Sequence, residues 1–352
     1  MNRFVRRLLP LVSLGLCLSS FGGIALAADP APPPSAPPEV VMKLATVAPD
    51  RTPWSELLKK YKQAVEAKSN GRIQVKIFLG GQLGDENETV NKCKRGQIQA
   101  VGASTGALAS QVPELNVVEL PFLFRNADEA DKVIDSVITP AMDRIFPKYG
   151  LVMGFWSENG FRQFGTKDVA VHAPKDLAGK KMRSQESPVH QEMWKRLGAQ
   201  PAPIPSTEAL TALETGTVDG FDQATLFAVA ASWHKTVKFF TISNHIYQPA
   251  IIVYNQKWFA ALAPELQKIL VEEGRAMQSK GRNAVRKIQP DLLKIIAAAG
   301  VQVGELTPAE RGAFETATAG VRDFLRQRQS KDETGKLMTD VEAALKALRG
   351  GK

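Results

Sequence analysis

The stretch "DLAGKKMRSQESPVHQEMWKRLGAQPAPIP", residues 176–205, reads as a strand, a helix and a second strand in direct succession. "KKMRS" alternates polar and apolar residues and carries a lone arginine, Arg183. Ser187-Pro188 then opens a helix over about 188–197, because proline suits the first helical position, where no backbone N–H is required. A strand follows around 202–204. Two strands joined by a crossover helix favour a parallel pair, the building block of an α/β fold.

The same alternation extends in both directions. Upstream, "LVMGFW" and "RQFGT" read as two strands, and downstream a helix over 207–215 precedes the strand "TVDGF". Nearer the N-terminus, "VVMKLATVA" (40–48) is a buried strand and "TPWSELLKKYKQAVEAKSNG" the helix after it, with Thr52 as N-cap, Pro53 in the first turn and Asn70-Gly71 at the end. "RIQVKIFL" (72–79), the turn "GGQLGDE", a helix closing at Gly96 and "IQAVGAST" (98–105) complete a first α/β unit. Residues 151–221 make a second. Beyond "QPAIIVYN" (248–255) the chain turns to long helical runs, about 264–299 and 307–348, expected to pack across both units.

The N-terminal segment reads differently. "MNRFVRRLLPLVSLGLCLSSFGGIALA" (1–27) joins three arginines, an apolar stretch and the small-residue site Ala25-Leu26-Ala27, the pattern of a cleaved secretory signal rather than a membrane span. A lipoprotein signal would want a small residue before Cys17, and Leu16 stands there. "ADPAPPPSAPPE" (28–39) is a proline-rich linker. A periplasmic protein with no stable membrane insertion after cleavage is expected.

Of 45 basic residues, cleavage removes Arg3, Arg6 and Arg7, which leaves 42 against 36 acidic and lowers the formal charge from +9 to +6. The remaining positives alternate with acids along helical stretches such as "ELLKKYKQAVEAK", a solvated face rather than a nucleic-acid stripe. No nucleic-acid partner is expected. Cys93 is then a lone thiol within a helix, unable to form an internal disulfide, and reads as structural more readily than as a nucleophile. His172, His190, His234 and His245 are scattered at spacings that suggest no metal cluster. The common phosphate, zinc and nucleophile-elbow motifs are absent. No metal or cofactor is expected. An exported chain of two α/β units without a catalytic motif points to a ligand held between lobes.

From about Lys43 to Gly304 the sequence resembles the extracytoplasmic solute-binding subunits of tripartite ATP-independent periplasmic (TRAP) transporters, the DctP-type family. The resemblance rests on "QLGDE", "LPFLF" (120–124), "NGFRQF" (159–164), the stretch 176–205, "ALETGTVDGFD" (212–222) and "SNHIYQP" (243–249). It implies a two-lobed periplasmic binding protein fold of class α/β, with a ligand cleft between the lobes and long C-terminal helices packing across both. The implied boundaries are 40–159 for the first lobe, 160–248 for the second, 249–288 for a return strand and spanning helix, and 289–352 for C-terminal helices mostly on the second lobe. The implied function is capture of a small organic acid, such as a dicarboxylate, and delivery to TRAP membrane permease subunits, without enzymatic chemistry.

The resemblance also nominates residues. The arginine of the "K-M-R" strand, here Arg183, is implied to clamp the ligand carboxylate, a role suited to a planar, permanently charged pair of donors. The alternative is a structural arginine paired with Glu186 or Glu192. Arg162 corresponds to a second cleft arginine, with pairing to Glu158 as its alternative. Gln223 stands where many relatives have a ligand-contacting asparagine, preceded by Asp222, which is either a contact or a helix N-terminal residue. Ser104 and Ser206 replace the acid and phenylalanine of sialic-acid binders, which disfavours a bulky sugar acid. Thr46, Asp50 and Asp85 are the first-lobe candidates, and each is also a credible helix cap. Trp54 and Trp194 read as core. The runner-up functions are a sensory binding protein and an exported hydrolase using Asp222 and Glu158 as paired carboxylates.

Overall fold

The computed structural model describes residues 37–328 and 333–350. The signal segment 1–27 and most of the proline-rich linker lie outside the described residues.

Among the described residues nine strands form one sheet: β1 (Val40–Thr46), β2 (Ile73–Phe78), β3 (Ala100–Ser104), β4 (Leu151–Thr166), β5 (Lys181–Ser184), β6 (Gln200–Pro203), β7 (Gly220–Ala224), β8 (Phe239–Asn255) and β9 (Gln302–Glu305). Their order is β2-β1-β3-β8-β4-β7-β5-β6, with β9 on β8. β1 pairs in parallel with β2 and β3, and β5 in parallel with β6 and β7, as the helical crossovers require. The joins between the two groups are antiparallel, β3 to β8, β8 to β4 and β4 to β7.

β4 and β8 make the architecture two-lobed. "LVMGFW" and "RQFGT" are not separate strands: they are the two ends of the 16-residue β4. Its first half pairs with β8 residues 250–255 in the group of β1 to β3, and its second half with β7 in the other group. The register slips at Glu158/Gly160, where Gly160 adopts φ +99°, a conformation open to glycine and strained for other residues. β8 likewise begins nine residues earlier than "QPAIIVYN" indicates. Its leading half, "FFTISNHIY", carries polar side chains on a mostly buried strand and so lacks the apolar run that marks one.

The local signals act as expected in the first unit. Thr52 caps the helix Pro53–Lys68 and exchanges hydrogen bonds with Ser55, with Pro53 in the first turn. This helix packs on the 35-residue helix Pro264–Ala298, which also contacts β4 and the helix Thr225–Ala230, so it spans both lobes. Gly274 permits its close approach: a Cβ there would lie 2.1 Å from Phe155. Arg282 and Arg286 tie it to Asp131 and Asp135, and Arg286 also reaches Glu158 at 2.6 Å. The run expected over 307–348 contains Pro308–Thr318, Val321–Arg328 and Glu333–Gly350. The last of these packs on 113–117 and 127–138, between β3 and β4, rather than on the β5 to β7 group.

Candidate functional site

Arg183 sits on β5, hydrogen-bonded in the sheet between β6 and β7, with Ala202 and Phe221 as its register partners. Met182 points into the apolar core, so alternation sends the Arg183 side chain to the other face. The guanidinium is 1 % exposed. It lies 5.0 Å above the Trp233 ring, donates from Nε to the Ile204 carbonyl at 2.9 Å and makes a long contact from Nη2 to Ser206 Oγ at 3.4 Å. Nη1 is buried without a partner. Among the described residues no carboxylate comes within ion-pair distance. Glu186 instead accepts from Asn87, and Glu192 pairs with Arg196 at 2.9 Å. Burial first, then the Arg162 charge, push the Arg183 pKa down to about 10, and the group stays cationic at neutral pH.

Arg162 contrasts with it. Fully buried on β4, it donates from Nε to Asp222 Oδ2 and from Nη2 to the Asp222 carbonyl, both at 2.5 Å, and from Nη1 to Gln223 Oε1 (3.1 Å) and Gln248 Oε1 (2.8 Å). Burial opposes ionisation of Asp222, but the Arg162 charge and the His245 hydrogen bond override it and hold the carboxyl well below its usual range. His245 is pushed down by burial despite Asp222, which it meets at 3.3 Å. The alternative partner for Arg162, Glu158, is elsewhere: it accepts from Tyr247 at 3.0 Å and pairs with Arg286. Asp222 and Glu158 are thus each held by a different arginine, unlike the paired carboxylates of a hydrolase.

Two adjoining spaces lie beside Arg183. The smaller, about 260 Å³ counting the part open to solvent, is lined by Arg183, Asp85, Glu86, Gln185 and Ser206, among others. The larger holds about 600 Å³, counting the part open to solvent, and shares Glu86, Gln185 and Ser206 with it. Thr46, Ser104 and Gln223 line the larger space. Arg162, Asp222 and Glu158 line neither and stand behind it. Asp85 borders the smaller space and caps the helix Glu86–Lys94 by accepting from the Glu88 N–H at 2.7 Å, so both of its expected roles coexist. Asp50 is spent on Lys59, at 2.8 Å on the surface. Trp54 is more than core: it lines the larger space and donates its indole N–H to the Glu158 carbonyl at 2.7 Å.

Several site residues escaped the sequence. Glu86 borders both spaces, accepts from the Ser104 N–H at 2.6 Å, and is pushed up by burial. Gln185 donates to Ser104 Oγ at 3.0 Å and accepts from Gln248 at 2.8 Å. Behind them, Glu119 receives His190 (2.6 Å), Gln248 (2.8 Å) and Thr105. His190 and His245, read as ordinary histidines, are therefore members of a buried charged network. Glu86 ends the quoted "QLGDE", but nothing there marks it as a site residue, and no sequence signal marks Glu119, whose partners Thr105, His190 and Gln248 lie on three separate segments. Cys93 is fully buried, and its thiol is pushed up to about 12 by burial, which fits a packed structural role.

Residues 44–328 match the bacterial extracellular solute-binding protein family 7, DctP. The chain belongs to this family. Its members are solute-binding proteins rather than enzymes. Among its relatives is the 2,3-diketo-L-gulonate-binding periplasmic protein of Escherichia coli, 30 % identical over 76 % of this chain and 81 % of that protein. A TRAP periplasmic solute-binding protein from Ochrobactrum anthropi, solved with its C-terminus bound in the ligand-binding pocket, is 31 % identical, with a TM-score of 0.78 over 90 % of this chain and 97 % of that one. The sugar acid binding protein of Advenella mimigardefordensis, in complex with galactonate, is 28 % identical, with a TM-score of 0.82 over 86 % of this chain and 98 % of that one. The DctP-type fold is thus the two-lobed α/β architecture described above.

Proposed function

We propose that this protein is the periplasmic solute-binding subunit of a TRAP transporter and captures a small organic acid through Arg183. The observation that carries the reading is a buried guanidinium with an unpartnered Nη1 and no acidic partner. A buried charge left unpaired is costly, so a site that keeps one is built for a counterion that arrives from outside. A carboxylate has the charge and the two oxygens to take the free donor edge. Arg183 borders the smaller of the two spaces, which adjoins the larger one. The acids named for two relatives, 2,3-diketo-L-gulonate and galactonate, support the same class.

The signal is cleaved after Ala27, and the lobes span 40–159 and 160–248, with 249–288 returning to the first lobe. They close about the crossings of β4 and β8 in a hinge motion favoured only as far as the acid binds the closed state more tightly. The closed form docks on the membrane permease subunits.

The test is titration calorimetry of purified, ligand-stripped protein against mono- and dicarboxylates, keto acids and sugar acids, with Arg183→Ala in parallel. Saturable binding of at least one acid, lost in Arg183→Ala, is expected. An acid bound within a few-fold equally well by the variant overturns the clamp, and binding of no acid by folded protein overturns the function.

A further inference from the structure

The two adjoining spaces differ in chemistry. Arg183 is the only cationic side chain lining either of them among the described residues. Arg162, the second arginine of the region, is fully engaged by Asp222, Gln223 and Gln248 and lines neither space. A second carboxylate on a ligand would find no counter-charge. It would meet Glu86 instead, the acid common to both spaces.

The polar groups of the larger space are mostly committed to one another. Both ends of the Gln185 and Gln248 amides are bonded within the network, Ser104 Oγ accepts from Gln185 and from the Ala107 N–H, and Gln223 Oε1 accepts from Arg162. The Thr46 and Ser157 hydroxyls, the Gln223 amide nitrogen and the Asn159 amide, whose nitrogen gives one bond to Gln248, keep free hydrogen-bonding capacity, few groups for a polyhydroxylated chain. The rest of the lining is apolar: Trp54, Leu57, Leu58, Phe155, Phe227 and Ile252 are prominent, with the Trp54 and Phe227 rings 6.1 Å apart. A ligand hydroxyl placed against them would lose its water without gaining a partner.

We infer that the site selects monocarboxylates with an apolar body, aliphatic or monocyclic aromatic, over dicarboxylates and polyhydroxy acids. The inference rests on the Arg183 carboxylate clamp: the head group takes Arg183 in the smaller space, and the body fills the larger one. This departs from the sugar acids named for the relatives above, although the fold is shared.

A homologous series tests it on the unmutated protein. Acetate, butanoate, hexanoate, 4-methylpentanoate and 3-phenylpropanoate are titrated alongside succinate, galactonate and leucine. Affinity is expected to rise roughly three- to four-fold per methylene from acetate to hexanoate, the scale of burying one CH₂. The heat capacity change should grow more negative along the series. Succinate and galactonate should bind at least about ten-fold more weakly than hexanoate. A flat series, or tighter binding of succinate or galactonate, overturns the inference while leaving the carboxylate clamp standing. Leucine binding more tightly than 4-methylpentanoate, its counterpart without the amine, overturns it too, since Glu86 would then be holding an ammonium. No binding by any acid overturns the clamp itself, and the inference with it.

Discussion

Arg162 and Arg183 are both buried, and their surroundings are opposite. Arg162 has a salt bridge and hydrogen bonds from all three guanidinium nitrogens. Arg183 has one good hydrogen bond, one long contact and one empty nitrogen. Burial alone therefore does not distinguish a structural charge from a binding one. The partner inventory does, because a charge satisfied within the protein stabilises the fold, whereas an unsatisfied one stores a cost that only a ligand relieves.

The comparison breaks most readily in stability measurements on ligand-free protein. Arg162→Ala leaves Asp222 buried without its cation and is expected to cost about 3–5 kcal/mol, a fall in Tm on the order of 10 °C by scanning calorimetry. A Tm within about 2 °C of the parent would remove the distinction. Arg183→Ala is expected to do the reverse. Its ligand-free Tm should hold or rise, while acid binding falls by about 2 kcal/mol or more, roughly thirty-fold, in titration calorimetry.

A pH profile sharpens the structural side. The Asp222 carboxyl lies below its unfolded value, so the unfolded chain takes up its proton first as pH falls. The stability it contributes is fully present above the unfolded pKa of about 4 and is lost as pH drops from there through the depressed folded value. Urea unfolding from pH 5 to pH 2 should therefore show a shallower decline in Asp222→Asn than in the parent. Parallel curves would mean that the Arg162 pair carries no net stability. The smallest effect is expected at Ser206→Ala. The 3.4 Å contact to Arg183 is weak, so ligand-free stability should change by less than about 1 kcal/mol, and a larger loss would show that Arg183 is better satisfied than its geometry indicates.

Legibility in the sequence follows the same division. Helix starts at Thr52 and Asp85, the β5-helix-β6 unit around Arg183 and the long spanning helix were all readable, since each depends on residues a few positions apart. The sequence shows β4 as two strands and hides the first half of β8, because Asn159-Gly160 interrupts the apolar pattern where β4 crosses between lobes and the polar run "SNH" interrupts it opposite the irregularity at Arg162/Phe164. Glu86 only ends "QLGDE", and Glu119 carries no motif. They matter through contacts with segments far along the chain, as in the bond from Gln248 to Glu119, 129 residues apart.

The sequence by itself determined the α/β alternation, the family and the arginine at the end of "KKMR". Short-range periodicity, capping and a specific motif order are written in neighbouring residues. Only the tertiary structure decided which arginine is left unpaired, which acids are already spoken for and how apolar the space beside Arg183 is. Those properties depend on the desolvation of groups brought together from distant segments, and a linear pattern does not record them.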